Sequence, residues 1–186
     1  MSRLAGLPAT LRVAMRAGVI GSRSLPASFA PLVSRVVSLL LSRGYSIASG
    51  GAVGADSFAL EAVIQQGASH GIIYSAWSSA SGFPSSVQPQ VSRFLASGGQ
   101  VVWGPASPSQ PSSAVVSALL GRNRRLVSAS SVIAAFLHGQ SRGSLYTVRQ
   151  AVAQGVPVIV FLCGGSASLP ADLASSCLVF MGKEVV

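Results

Sequence analysis

Acidic residues are almost missing from this chain of 186 residues: four Asp and Glu stand against 13 Lys and Arg, for a formal charge of +9. They are Asp56, Glu61, Asp172 and Glu184, so residues 62 to 171 contain none. That gap excludes a two-carboxylate glycosidase pair or a two-metal cluster from most of the chain, because both chemistries need neighbouring acids. No catalytic residue is expected on this ground. Lysine is nearly absent as well, Lys183 being the only one. A GC-rich coding bias accounts for arginine over lysine but not for so few acids. The imbalance therefore points to a partner that carries phosphate. His70 and His138 are the only histidines and show no metal-ligand spacing, so neither a metal nor another cofactor is expected. Cys163 and Cys177 form no CxxC motif and read as small reduced hydrophobes in a cytoplasmic protein. No apolar run reaches the roughly eighteen residues of a membrane span, and no membrane partner is expected.

What is present is small and apolar: 49% of residues are hydrophobic and only 9% are charged. Apolar β-type runs alternate with helix-length segments. Strands are expected at 17–22, 45–49, 71–75, 100–103, 131–137, 156–162 and 177–181. Helices are expected at 30–44, 55–67 and 144–155; in the first, Leu32, Val36, Leu39 and Leu40 recur at helical spacing. Segments 75–88 and 104–113 read as loops. Near-continuous apolar strands between helices imply a doubly wound, mostly parallel α/β sheet with helices on both faces. Residues 17–186 read as one domain. Residues 1–16, Arg-bearing and acid-free, read as a flexible extension, with a transit peptide as the alternative.

Ligands of such sheets bind beyond the carboxyl ends of the strands, where helix N-termini offer free N–H groups. Three glycine-rich junctions fit that description: Gly21-Ser22-Arg23 after the first strand, "SGGAVGAD" after the second, and "HGQSRGS" after the fifth. The candidate phosphate contacts there are Gly21, Ser22, Arg23, Ser49, Gly50, Gly51, Gly54, Ser141, Arg142, Gly143 and Ser144. None of the three is a Walker A loop or a GxGxxG fingerprint. A fourth contribution comes from "GRNRRLVSAS", 121–130, with three arginines and no acid. A helix from about residue 121 to Ser130 would be about 15 Å long, close to the length of a five-residue strand. Its start would then lie at the same sheet edge, turning Arg122, Asn123 and Arg124 towards the glycine-rich turns. Arg125 is expected to be solvated. Tyr45, Tyr74, Trp77 and Phe83 are candidates for base stacking.

"GSR", "SGGAVGAD", "RNRRLVSAS" and "SRGSLYTVRQAVAQGVPVIVF" follow one another as they do in the DNA-processing protein A (DprA/Smf) family, which the chain resembles over about residues 17–165. That resemblance implies a Rossmann-like domain of the wider group that includes lysine-decarboxylase-like nucleotide-binding proteins. It also implies binding of single-stranded DNA, dimer or higher homo-oligomer formation, and a recombinase partner. The ligand-facing set it implies is Ser22, Arg23, Gly50, Gly51, Arg122, Asn123, Arg124, Gly143 and Ser144. The chain departs from the family pattern at Leu60, at "AFLHG" where an acid is usual, and at Arg142. The expected function is thus binding of single-stranded nucleic acid, DNA before RNA, by a protein of DNA processing or recombination. Two alternatives belong to other classes: a small-nucleotide sensor or nucleotide N-glycosidase, and a Rossmann-like assembly protein.

Overall fold

The computed structural model describes residues 15–164 and 166–182, so the expected extension lies outside the described residues except at its end. Seven strands form one sheet: β1 Arg16–Gly21, β2 Ser46–Ser49, β3 Gly71–Tyr74, β4 Gln100–Val102, β5 Val132–Leu137, β6 Val158–Leu162 and β7 Cys177–Met181. Every pairing is parallel, in the order β4-β3-β2-β1-β5-β6-β7. The chain winds one way from β1 to β4 and the other way from β5 to β7. The crossover reverses between β1 and β5, and that switch point is where a ligand crevice opens in this architecture.

Six helices join the strands: α1 Ala30–Ser42, α2 Ala55–Gly67, α3 Gln88–Ala96, α4 Ser112–Ser128, α5 Arg142–Ala153 and α6 Ala171–Ala174. Successive side chains of a strand point to opposite faces, so each strand feeds two cores. In β1, Val19 enters one core and Ile20 the other; in β5, Phe136 enters the first and Leu137 the second. The first core is closed by Val33 and Val37 of α1, Val63 of α2 and Phe94 of α3. The second is closed by Leu126 of α4, Val148 of α5 and Leu173 of α6. Phe136, Phe161 and Phe180 sit in register on β5, β6 and β7 and stack at centroid distances of 4.8 and 5.7 Å. This row carries the first core to the β7 edge. Among the described residues, no helix is long and apolar enough to cross a membrane.

Two expectations about elements are corrected. Segment 88–96 forms a helix that was not anticipated. It opens with Pro89 in its first turn, where the missing N–H costs nothing, and anchors through Val91 and Phe94. The helix expected from about residue 121 begins at Ser112 and has 17 residues. Gly121 lies inside it, so the Pro- and Ser-rich stretch 104–113 ends in the first turn of a helix.

The α2–α3 contact carries a charge pair. Arg93 donates to Glu61 at 2.6 Å and Gln90 donates to the same carboxylate at 3.0 Å. The hydrogen bond from Gln90 and the nearby Arg93 hold the Glu61 carboxyl below its ordinary range, despite some burial. Both charged side chains are largely exposed, at 57% and 36%, so solvent screens the pair. Glu61→Gln is expected to cost less than about 1 kcal/mol near neutral pH. A lowered carboxyl pKa stabilises the fold above the unfolded-state value and loses that contribution as pH falls through the folded-state value. Urea unfolding of both proteins should therefore show a difference at pH 7 that shrinks as pH falls below the ordinary carboxylate range.

Candidate functional site

A cavity of about 450 Å³ opens at the switch point. One wall is the end of β1 and its turn, Ile20 to Ser24; the opposite wall is the start of α5, Gln140 to Ser144 with Thr147. Ala52, Asp56, Arg122 and Asn123 complete it. Four backbone segments distant in sequence thus converge on one space.

The two walls are bolted together by a single hydroxyl. Ser22 Oγ donates to the carbonyl of His138 at 2.9 Å and accepts from the His138 N–H at 2.8 Å. The Ser22 N–H donates to the Phe136 carbonyl at 2.9 Å. Ser22, expected as a phosphate contact, lines the cavity with its one hydroxyl proton already engaged by the His138 carbonyl. His138 continues the lock, its Nδ1 lying 3.0 Å from the Cys163 carbonyl oxygen.

The second glycine-rich turn also serves its own structure first. Asp56 Oδ2 accepts from the N–H groups of Gly50 at 3.1 Å and Ala52 at 3.3 Å. Ser49, Gly50, Gly51 and Gly54 do not line the cavity, and Ser49 Oγ accepts from the Gly51 N–H at 3.4 Å. Gly54 has φ +79°, and a side chain there would strike the carbonyls of Ser22 and Arg23. Gly50 is required for another reason: a Cβ on it would fall inside the Arg122 guanidinium. The turn therefore shapes the cavity by letting Arg122 lie against bare backbone.

Arg122 is the eleventh residue of α4, and its side chain rather than the helix start reaches the sheet edge. Only 9% of the side chain is exposed. Its NH1 faces Asp56 Oδ2 at 3.5 Å, while its buried Nε has no partner. Among the described residues, Arg16 Nε is the only other buried side-chain nitrogen or oxygen without one. Burial pushes the Asp56 carboxyl up, against the pull of Arg122, the two backbone N–H groups and Arg23. Burial pushes the Arg122 guanidinium down, against the pull of Asp56. Each charge holds the other in a place neither would occupy alone.

The start of α5 supplies a different kind of donor. Ser141 precedes the helix and its Oγ bonds Ser144 Oγ at 2.7 Å instead of capping backbone. The first-turn N–H groups of this 12-residue helix accordingly lack a side-chain cap beside the cavity. No side chain occupies the space over Gly143. Arg23 and Arg142 stand exposed on the two walls.

The remaining candidates lie elsewhere. Arg124 borders a second cavity of about 720 Å³ on the far side of Arg122, with Pro105, Gln110 and Ala114. Arg125 is not simply solvated: NH2 donates to the Ser75 carbonyl at 2.7 Å and NH1 to that of Trp103 at 3.2 Å, bracing the ends of β3 and β4. None of the four stacking candidates borders the first cavity. Tyr45 precedes β2 and so lies at the opposite edge of the sheet, beside Met15 and His70. Tyr74 is buried with its hydroxyl held by Arg16 at 2.7 Å, Phe83 is buried against Trp103, and Trp77 is packed between the first core and a small cluster of Ala76, Ala106 and Ala118. Ile20, Ser24, Ala52, Asp56, Gln140 and Thr147 line the cavity but lie outside the set expected from the sequence. In the sequence Asp56 stands as one of four scattered acids, because the arginine it pairs with lies 66 positions away. Among the described residues, no group of three His, Cys, Asp or Glu could hold a metal ion.

A parallel, doubly wound sheet with an arginine-floored cavity at its switch point defines a Rossmann-like domain built around an open strand edge. The family model of DNA recombination-mediator protein A matches residues 5–178, and the chain belongs to that family. A structure of DNA processing protein A from Helicobacter pylori, described for its single-stranded DNA binding mode, is 23% identical with a TM-score of 0.67. That similarity covers 80% of this chain and 66% of the other. DNA processing protein A from Streptococcus pneumoniae is 20% identical with a TM-score of 0.66, over 92% of this chain and 60% of that one. The chain therefore spans less than two thirds of the length of these two relatives. A molybdenum cofactor binding protein from Rippkaea orientalis is 18% identical, with a TM-score of 0.62 over 92% and 91% of the two chains. No curated protein matches the sequence significantly.

Proposed function

We propose that this domain binds single-stranded nucleic acid, DNA before RNA, by taking a backbone phosphate into the switch-point cavity. The observation that carries the proposal is the buried Arg122 lining the cavity, with an Nε that no protein atom satisfies. A buried polar group left without a partner costs free energy, and an anion at this place would relieve it. The uncapped start of α5 adds N–H donors and a favourable dipole. Arg23 and Arg142 place two further charges beside the opening. No catalytic group takes part in this reading. Self-association and transfer of the strand to a recombinase belong to the same proposal, on the family resemblance alone.

Each neutralised phosphate of a single strand releases counterions, with a slope of about −0.7 in log affinity against log salt. Arg23 and Arg142, the cavity arginines without a buried counter-charge, predict a slope of about −1.4. Fluorescence anisotropy of a labelled oligothymidylate from about 50 to about 300 mM salt, over which the Debye length falls from about 14 to about 6 Å, measures it. A flat salt response, or tighter binding of duplex, would overturn the proposal. A free nucleotide is the second reading, favoured by a cavity within the usual size range of small-ligand sites. A nucleoside monophosphate that binds where the oligonucleotide does not would decide for it.

A further inference from the structure

Asp56 is the one acid among the residues lining the cavity, and it is 4% exposed. Its carboxylate feels the positive charges of Arg122 from α4 and Arg23 from the β1 turn, while Arg125, held by the Ser75 and Trp103 carbonyls, adds a like charge that Arg122 feels. At the cavity floor the guanidinium and the carboxylate therefore sum to zero charge. The floor offers hydrogen-bond donors without an uncompensated cation, and the free positive charges of Arg23 and Arg142 stand on the exposed walls.

Resting on the phosphate-binding reading above, we propose that Asp56 sets the charge class of the ligand: the site selects a singly charged internal phosphodiester over a doubly charged terminal phosphate. A diester brings one negative charge, which the arginines of the walls and the α5 dipole can match while its oxygens accept at the floor. A monoester brings a second charge into a partly desolvated space that already holds a carboxylate. Like charges repel more strongly there than in water, and a buried charge without a partner is penalised. Asp56 thereby steers the domain away from strand ends and free nucleotides and towards the interior of a strand.

The test compares two competitors of nearly equal size and different charge, thymidine 5′-phosphate and its methyl phosphodiester, displacing a labelled oligothymidylate at pH 8. The monoester is doubly charged there, since the second pKa of a phosphomonoester lies near about 6. In the wild-type protein the methyl ester should displace the label at roughly five- to tenfold lower concentration. In Asp56→Asn the ratio should fall to about one or invert, because removing a nearby negative charge favours the dianion more. An equal or better monoester in the wild type, or an unchanged ratio in the variant, overturns the proposal. Should Asp56→Asn fail to fold, the wild type alone decides: from pH 8 to pH 5 the monoester should catch up with the methyl ester, and a constant ratio overturns the assignment. Failure of the wild type to bind the oligothymidylate at all removes the phosphate-binding reading instead, and is visible before any competitor is added.

Discussion

Arg122→Ala should abolish single-strand binding and also destabilise the fold by about 3–5 kcal/mol. The two effects share one origin and can be separated. Arg122 is the buried arginine of the cavity, so its loss leaves helix N–H groups and the exposed Arg23 and Arg142 to hold a phosphate. It is also the buried counter-charge of Asp56, whose carboxylate would remain against Gly50 and Ala52 with only the exposed Arg23 as a nearby cation. Removing one partner of a buried ion pair leaves an uncompensated charge, which is why the stability loss is large. The double variant Arg122→Ala with Asp56→Asn should recover much of the stability, since an amide oxygen can still accept from the turn. Binding should remain absent. Urea unfolding and oligonucleotide anisotropy on the same three samples check this; a double variant that regains binding would contradict the role given to Arg122.

Gly50→Ala should weaken binding roughly tenfold or more while every arginine is retained. A methyl group at this position would overlap the Arg122 guanidinium and come within 2.8 Å of Asp56 Oδ2. The guanidinium would have to swing away from Gly50 and so leave the position it holds against Asp56. Overpacking of this kind costs about 1–3 kcal/mol, so a lowered midpoint of unfolding should accompany the lost affinity. Gly121→Ala is the matched comparison: it lies inside α4 with open space around it, and an exposed helix glycine costs about 0.5–1 kcal/mol relative to alanine. That variant should gain stability and keep its binding. Equal behaviour of the two would mean that Gly50 is an ordinary turn glycine.

The fold was legible in the sequence because a parallel sheet buries both faces of its strands. "AGVIG", "SVIAAFL" and "VPVIVFL" are apolar at successive positions for that reason, and all three became strands. The start of α4 was illegible because Gly121 looks like punctuation and the stretch before it is rich in Ser and Pro. Only tertiary packing makes that glycine a helix interior. α3 was hidden because only Val91 and Phe94 of its nine residues are buried, too few for a recognisable period. At the site, the turns and the arginine were legible as residue types, since glycine and arginine are what an anion pocket needs. The pairing of Arg122 with Asp56 was not, because it joins two helices 66 positions apart. The four aromatic candidates fared worst. Nothing in a single sequence says which strand end or which face an aromatic ring occupies.

The Ser22 hydroxyl, held by the His138 peptide, carries a consequence for the rate of capture. Both walls of the cavity are fixed to each other before any ligand arrives, and the third side is held by the Asp56 clip on the Gly50–Ala52 turn. Among the described residues the walls of such a pocket are already held in place, so encounter and docking merge into one kinetic step. Association should then be a single exponential in stopped flow, linear in protein concentration. Its speed should be set by diffusion and by the attraction between a chain of charge +9 and a polyanion.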